Sequence, residues 1–330
     1  MKKRALLYRF FGLLALVLAL LNQASCATTS ARAPSIQELP FSELPAGADL
    51  YFFADIQKSQ SLITGLYQAG SIPSLQKISY ENLKYMGQAY GALYNELSSQ
   101  RFYVLVTGQF PVFKTNLSLF FSPDWKRKTI RGLSYWRSEK DGLSLRISPR
   151  GIAVSDGVFL SSVSENVVSE EVGSPRYSAE AVCGSNLYLV HNAPQSLFQS
   201  FLGSIGFLGQ GFNIPLAQIS IKLYPADHPG LYQLQGSLVT TSPSFGKALG
   251  ALFSVASRIV QPFDQFDDMA GPEQVLPQIG SLLLSERPVV EGSSVYLTSK
   301  TITEAELTLL LHRLLVYFER KKFFKLNMER

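Results

Sequence analysis

The feature that most constrains how this chain folds is a succession of structural patterns that occurs twice. Residues 49–55 form an apolar strand pattern that ends on an aspartate, and residues 186–192 repeat the pattern and end on an asparagine. A helical pattern follows each strand and carries the same three letters, Gln60-Ser61-Leu62 in the first copy and Gln195-Ser196-Leu197 in the second. Self-similarity of this kind favours two similar folded units over one large core.

The second shared pattern is a hairpin that runs into a helix. Hairpins are predicted along 89–110 and 218–241, because apolar residues occupy every second position of their returning strands, at 102–106 and 232–238, as they do in strands with one buried face. Each returning strand leads into a helical pattern through a proline, Pro111 in the first copy and Pro243 in the second. Proline suits the first turn of a helix because that turn needs no backbone N–H donor there. Both halves are therefore predicted to share one order of elements.

Each half is predicted to close with further strands and a final helix. The stretches 162–165 and 303–306 have the Ser/Thr-x-x-Glu spacing of a capping box, in which hydroxyl and carboxylate each bond a backbone N–H group. We predict an α+β chain of two similar units, 46–175 and 180–318, each a mostly antiparallel sheet with helices packed on one face. A basic tail, 319–330, follows the second unit.

The first 25 residues have the composition of a secretory signal. A positively charged start, 2–4, precedes an apolar run, 10–21, and a short segment of small and polar residues. The apolar run is shorter than the roughly 20 residues that a membrane-spanning helix needs. We therefore predict export, with 1–25 as the signal peptide. A buried helix or a short membrane anchor is the alternative.

The end of this signal, Ala24-Ser25-Cys26, places small residues before a cysteine. It resembles the lipobox of bacterial lipoproteins in the relaxed form of spirochaetes, although Gln23 stands where an aliphatic residue is usual. The resemblance implies a diacylglycerol on Cys26 and attachment to the cell membrane or the outer membrane, outside the cytoplasm. Ordinary cleavage after Ala27 is the alternative. The body of the chain resembles no characterised family.

Residues 26–45 are predicted to form a flexible tether between the lipid and the folded body. They are rich in Ser, Thr, Ala and Pro and have no apolar period. The cysteine count agrees with an acylated Cys26, because the chain has two cysteines and Cys183 is then left without a partner for an intramolecular disulfide. Cys183 is predicted to be a small core residue.

Charge and motif content exclude several classes of function. Four of the 30 basic residues lie in the signal, and the others nearly balance the 25 acidic residues, so net charge does not favour nucleic acid as a partner. The three histidines have no His, Cys or Glu at ligand spacing. No nucleophile elbow, Walker loop or dinucleotide-binding fingerprint occurs. We therefore predict no catalytic residue, no metal and no cofactor.

Two aromatic regions are the candidate binding surfaces. Trp125 and Trp136 bracket a basic stretch, 126–131, that suits stacking on a carbohydrate or binding of an anionic ligand. Alternation along a hairpin equally allows Tyr135 to point inward with Trp136 half covered, so that these aromatic residues serve the core. The second region is the apolar, glycine-rich stretch 201–216, whose large side chains are Phe201, Leu202, Phe207, Leu208 and Phe212. This stretch either fills a core between the two units or forms an apolar flap that faces a partner or lipid.

Together these features predict an exported, lipid-anchored envelope protein that acts as a non-enzymatic binding or scaffold module. Its predicted partners are the membrane, reached through the lipid on Cys26, and a protein or another envelope component. A hydrolase or transferase with an unrecognised site and a carrier of an apolar ligand are the alternatives.

Lipid attachment predicts how the protein partitions between detergent and water. Wild-type protein should enter the detergent phase of a Triton X-114 extract because its acyl chains are apolar. Cys26→Ser should stay in the aqueous phase, since a hydroxyl does not accept the diacylglycerol. Cys183→Ser is the matched control and should partition as wild type. Aqueous partition of all three proteins would contradict lipidation.

Overall fold

The computed structural model of the chain describes residues 44, 47–69, 83, 85–95, 100–130, 133–140, 142–148, 151–156, 182, 184–192, 215–259 and 274–328. Within these residues the chain is α+β, because hairpins alternate with helices and the strand pairings within each unit are antiparallel. Several predicted features lie outside the described residues, namely the signal 1–25, Cys26, the capping box at 162–165, Cys183 and the apolar side chains of 201–212.

The chain divides into two compact units. The first comprises Met1–Gln60 and Pro73–Cys183, and the second comprises Ser61–Ile72 and Gly184–Arg330. Helix α1 (Gln60–Gln68) follows the first strand of the chain, yet it packs with the second unit from Ser61 onward. The reason is Leu62, whose buried side chain is part of the apolar core of the second unit.

The first unit is a sheet with one described helix. Its strands are β1 (Leu50–Asp55), β2 (Met86–Asn95), β3 (Gln100–Gly108), β4 (Trp125–Ile130), β5 (Leu133–Ser138), β6 (Leu143–Ser148) and β7 (Gly151–Asp156). They pair in the order β1-β2-β3-β7-β6-β5-β4, so β4 is an outer strand of this sheet. Helix α2 (Val112–Phe121) joins β3 to β4.

Strands β1 and β2 of this sheet pack large rings against small residues. Phe52 lies directly opposite Gly91 across β1 and β2, where any side chain at position 91 would overlap the Phe52 ring. Beside this pair, the rings of Phe53 and Tyr90 contact each other with 5.2 Å between centroids. Tyr90 is fully buried, and burial is the main reason that its pKa is raised. Its hydroxyl donates to Gln88 Oε1 at 2.6 Å, which satisfies the buried polar group.

The second unit pairs its strands in a similar order. Its strands are β8 (Leu187–Asn192), β9 (Leu216–Pro225), β10 (Leu231–Thr240), β11 (Val289–Glu291), β12 (Ser294–Thr298) and β13 (Ile302–Thr303). The order is β8-β9-β10-β12-β11, and β13 also pairs with β10. Its further helices are α3 (Pro243–Ile259), α4 (Val275–Leu283) and α5 (Glu304–Met328).

Helix α3 approaches its sheet closely because glycines line the contact. A Cβ at Gly246 would lie 2.7 Å from the carbonyl oxygen of Gly292, and a side chain at Gly250 would overlap Val290. This approach buries Leu249 and Phe253 completely. Both side chains belong to the core of the second unit, to which α1, α4 and α5 also contribute.

Several sequence predictions are confirmed. The hairpins predicted along 89–110 and 218–241 are β2–β3 and β9–β10. The capping box at 303–306 also forms, with the N–H of Thr303 bonded to Glu306 Oε2 at 2.7 Å and the N–H of Glu306 bonded to Thr303 Oγ1 at 3.3 Å. Helix α5 then continues to Met328, through most of the predicted basic tail.

Because Leu62 lies in the core of the second unit, truncating its side chain should lower the stability of the protein strongly. Leu62→Ala should lower the free energy of unfolding by about 2–5 kcal/mol, because it leaves a cavity in a packed core. Urea unfolding followed by circular dichroism measures this change. Leu117→Ala on α2 is the matched control, and its exposed side chain should cost less than about 1 kcal/mol. Equal losses in the two variants would contradict this assignment of Leu62.

Candidate interaction surface

Helix α2 has a fixed start and a fixed end. Pro111 precedes its first residue with φ −74°, and its carbonyl accepts the N–H of Thr115 at 3.0 Å to close the first turn. At the other end Ser122 is extended, and Pro123 cannot continue the hydrogen-bond ladder. The helix is therefore limited to ten residues.

The buried side of α2 carries polar residues. Thr115 is buried, and its hydroxyl donates to the Pro111 carbonyl at 3.0 Å. Asn116 donates through Nδ2 to the Val112 carbonyl at 2.9 Å, and its Oδ1 accepts the indole N–H of Trp136 at 2.7 Å. The indole belongs to β5, so this bond ties α2 to the sheet. Leu119 adds a buried apolar side chain on the same side.

The opposite side of α2 is apolar and faces solvent. We call it the α2 face, and its exposed fractions are 79% for Phe113, 43% for Leu117, 69% for Phe120 and 74% for Phe121. These positions share the three- and four-residue spacing of one helix face. The rings of Phe120 and Phe121 meet edge to face, with 5.5 Å between centroids. An exposed group of large apolar side chains on one short helix is typical of an interaction site.

Strand β4 places positive charge beside this helix. Lys126, Arg127 and Lys128 are all exposed. Lys126 pairs with Glu139 at 2.7 Å between Nζ and Oε2, and this hydrogen bond, with the charges of Lys126 and Lys128, lowers the pKa of Glu139. Arg127 donates from Nη2 to the Ser134 hydroxyl at 3.4 Å. Because the Lys126–Glu139 pair is solvent-exposed, it contributes little to stability.

The register of β4 shows which side of the sheet each cation occupies. Arg127 lies directly opposite Trp136, so its side chain is on the side of the sheet that bonds α2. Trp125 is two residues away and shares that side, because alternate residues of a strand point the same way. Lys126 and Lys128 are on the other side. The edge strand therefore presents cations on both sides of the sheet.

The predicted tryptophan pair does not form one exposed surface. Trp125 is half-buried at the start of β4, whereas Trp136 is only 5% exposed because it packs under α2 and bonds Asn116. The α2 face was not among the predicted sites. Its spacing is visible in the sequence, but the same spacing is expected of a helix that buries these residues. Thr115 and Asn116 are the residues that indicate the opposite orientation, with the apolar face exposed.

Two further properties of the described chain bear on function. Among the residues that the structure describes, no group of three or more His, Cys, Asp or Glu lies close enough together to hold a metal ion. None of the described helices is both long enough and apolar enough to cross a membrane.

Comparison with known proteins identifies a similar fold. No family model and no curated protein matches the chain. Two solved structures of the spirochaete protein TP0453 are similar to it. Crystal form III aligns with a TM-score of 0.52 and 20% identity over 84% of this chain and 99% of TP0453. Crystal form IV has a TM-score of 0.52 and 18% identity over 83% and 96%. At this identity the likeness concerns the fold alone.

Substitutions on the two sides of α2 should change the free energy of unfolding by different amounts. Asn116→Ala should lower the free energy of unfolding by about 1–3 kcal/mol, because it leaves the buried N–H of Trp136 without an acceptor. Phe120→Ser with Phe121→Ser should change it by less than about 1 kcal/mol, since both rings are already exposed. Urea unfolding measures both. A larger loss for the phenylalanine pair would contradict this orientation of the helix.

Proposed function

We propose that this chain is an exported, lipid-anchored envelope protein with a non-enzymatic role, and that it binds a partner through the α2 face. The observation that carries the proposal is the orientation of α2, which buries Thr115 and bonds Asn116 to Trp136 of the sheet while its phenylalanines face solvent. A helix oriented this way leaves apolar surface exposed to water, at a free-energy cost in the isolated chain. Binding of a partner removes that cost.

We also infer that the two units are duplicates of one ancestral unit. The strand orders support this, because β1-β2-β3-β7-β6 in the first unit corresponds to β8-β9-β10-β12-β11 in the second. The last hairpins correspond in detail. Ser148 pairs with Gly151 and Glu291 pairs with Ser294, so each hairpin has a connection of two residues.

One hydrogen bond at the end of the first strand supports the same correspondence. Asp55 is the last residue of β1, lies opposite Gln88 on β2 and accepts a bond from Gln88 Nε2 at 3.3 Å. Asn192 is the last residue of β8, lies opposite Gln218 on β9 and accepts a bond from Gln218 Nε2 at 3.2 Å. The glutamine donor and the register agree between the units, and Asp55 and Asn192 both accept through a side-chain oxygen.

Helices α2 and α3 share a sequence pattern but bury different sides. Aligning the prolines that precede them gives five identical positions, namely Pro111 with Pro243, Phe113 with Phe245, Leu117 with Leu249, Phe121 with Phe253 and Ser122 with Ser254. Leu249 and Phe253 are fully buried in the second unit. Their counterparts are two members of the α2 face. The α2 face therefore consists partly of residue types that the sister helix uses as core.

The different packing has a steric cause. Gly246 and Gly250 allow α3 to lie close to its sheet, and the aligned residues of α2 are Lys114 and Ser118. Side chains at those positions keep α2 from the same approach. It packs instead through the buried Thr115 and Leu119 and through Asn116, which bonds Trp136. This exposes its core-type residues and supports the proposal that a partner covers them.

Attachment through Cys26 would keep the folded units near the membrane. The tether, 26–45, can extend to about 65 Å when it is straight. A tether of that reach lets the α2 face meet partners that project from the same membrane. Export and lipidation rest on the sequence of the signal and of Ala24-Ser25-Cys26.

The binding role predicts an assembly that depends on the α2 face. Wild-type protein, extracted from native membranes in mild detergent, should elute in a complex larger than a single processed chain plus micelle. Phe120→Ser with Phe121→Ser should elute as the single chain, because it removes the two aromatic anchors of the surface. Phe245→Ser is the matched control, since this exposed phenylalanine lies on α3. Identical elution of all three proteins as the single chain would contradict the proposal.

A further inference from the structure

The free side of β4 has hydrogen-bonding capacity and positive charge together. Among the described strands β4 pairs only with β5. In an antiparallel ladder alternate residues direct their N–H and C=O groups away from the neighbour. Half of the residues of β4 therefore offer backbone donors and acceptors at the outer edge. The three exposed cations, Lys126, Arg127 and Lys128, lie along that same edge.

These charges select which strand can pair with β4. A second copy of β4 would place like charges opposite one another, and such pairs are destabilising. Lysines on an edge strand prevent self-association for this reason. A strand with carboxylates on the side of Lys126 and Lys128 instead gains favourable cross-strand pairs. The edge thus disfavours a second copy and favours an anionic partner.

The hairpin that carries this edge is an addition to the shared plan of the two units. In the first unit β4 and β5 stand between α2 and the final hairpin β6–β7. The second unit reaches its corresponding hairpin, β11–β12, from α3 through α4 and has no described strands at this point. The cations of β4 therefore belong to a segment that the duplicated fold does not need.

We propose that β4 binds an extended, acidic peptide segment of a partner protein, which adds to the sheet as one more antiparallel strand. This inference rests on the proposed binding role and names the class of partner. Backbone hydrogen bonds to β4 give affinity, and alternate side chains of the added strand give specificity. Acidic side chains on one side of the strand pair with Lys126 and Lys128. On the other side, apolar side chains lie beside Trp125 and the helix that carries the α2 face.

A synthetic peptide tests this directly. The probe is fluorescein-labelled Val-Glu-Val-Glu-Val-Glu-Val with a C-terminal amide, added to the full chain purified in detergent. We expect a saturable rise in fluorescence anisotropy that weakens as salt is raised, because exposed ion pairs are screened. The control peptide Val-Glu-Pro-Glu-Val-Glu-Val, with proline at the third position, keeps the charge but cannot complete a ladder, and it should not bind measurably.

Two substitutions test whether binding depends on the charge of β4 itself or only on the net charge of the protein. Lys128→Glu should weaken binding about tenfold, since it replaces an attraction at the edge by a repulsion. Lys247→Glu makes the same charge change on α3 and should bind as wild type. Phe120→Ser with Phe121→Ser should retain at least the salt-sensitive part of the binding, because the edge itself is unchanged. If wild type elutes as the single chain but still binds the peptide, the binding role of the α2 face is overturned and strand addition is retained.

Four results would overturn strand addition. The first is no binding of the probe by wild type, and the second is equal binding of the proline peptide, which would indicate charge attraction alone. The third is equal binding by Lys128→Glu and wild type. The fourth is Lys128-dependent sedimentation with phosphatidylglycerol vesicles in the absence of peptide binding, which would assign the edge to a lipid surface instead.

Discussion

The orientation of α2 depends on one hydrogen bond at its buried side, from the indole N–H of Trp136 to Oδ1 of Asn116. A buried indole needs an acceptor, and Asn116 supplies it only if this side of the helix faces the sheet. Thr115 satisfies its own hydroxyl within the helix and is buried beside it. With these polar groups inside, the three- and four-residue spacing of the helix places its phenylalanines outside. The exposure of the α2 face is therefore a consequence of the hydrogen bonds that the polar groups on the other side of the helix make.

The sequence predicts the order of elements well because that order depends on local signals. The hairpins follow from alternation, the start of α2 follows from Pro111, and the capping box follows from Thr303 and Glu306. Strand β4 was not predicted, because its cations occupy both sides and leave no alternation to detect. The exposed α2 face was missed for a different reason. Helical spacing identifies an apolar side but does not say whether that side meets the sheet or the solvent.

Comparison of the two units explains why that ambiguity exists. The same letters that place Leu249 and Phe253 in the core of the second unit place Leu117 and Phe121 at the surface of the first. The difference comes from the positions between them, where two glycines of α3 are replaced by Lys114 and Ser118. Under the proposed duplication, small changes of side-chain size at a helix contact converted core residues into surface residues. The added β4–β5 hairpin then placed cations next to them.

The proposed binding role requires the α2 face to be exposed in the isolated protein and covered in the envelope. Hydroxyl-radical footprinting read by mass spectrometry measures this, because phenylalanine rings are oxidised in proportion to their exposure to solvent. We predict rapid oxidation of Phe113, Phe120 and Phe121 in the purified chain and strong protection of the same rings in native membranes, with Phe245 oxidised alike in both. Equal oxidation of the three rings in the purified and the membrane-bound protein would contradict it.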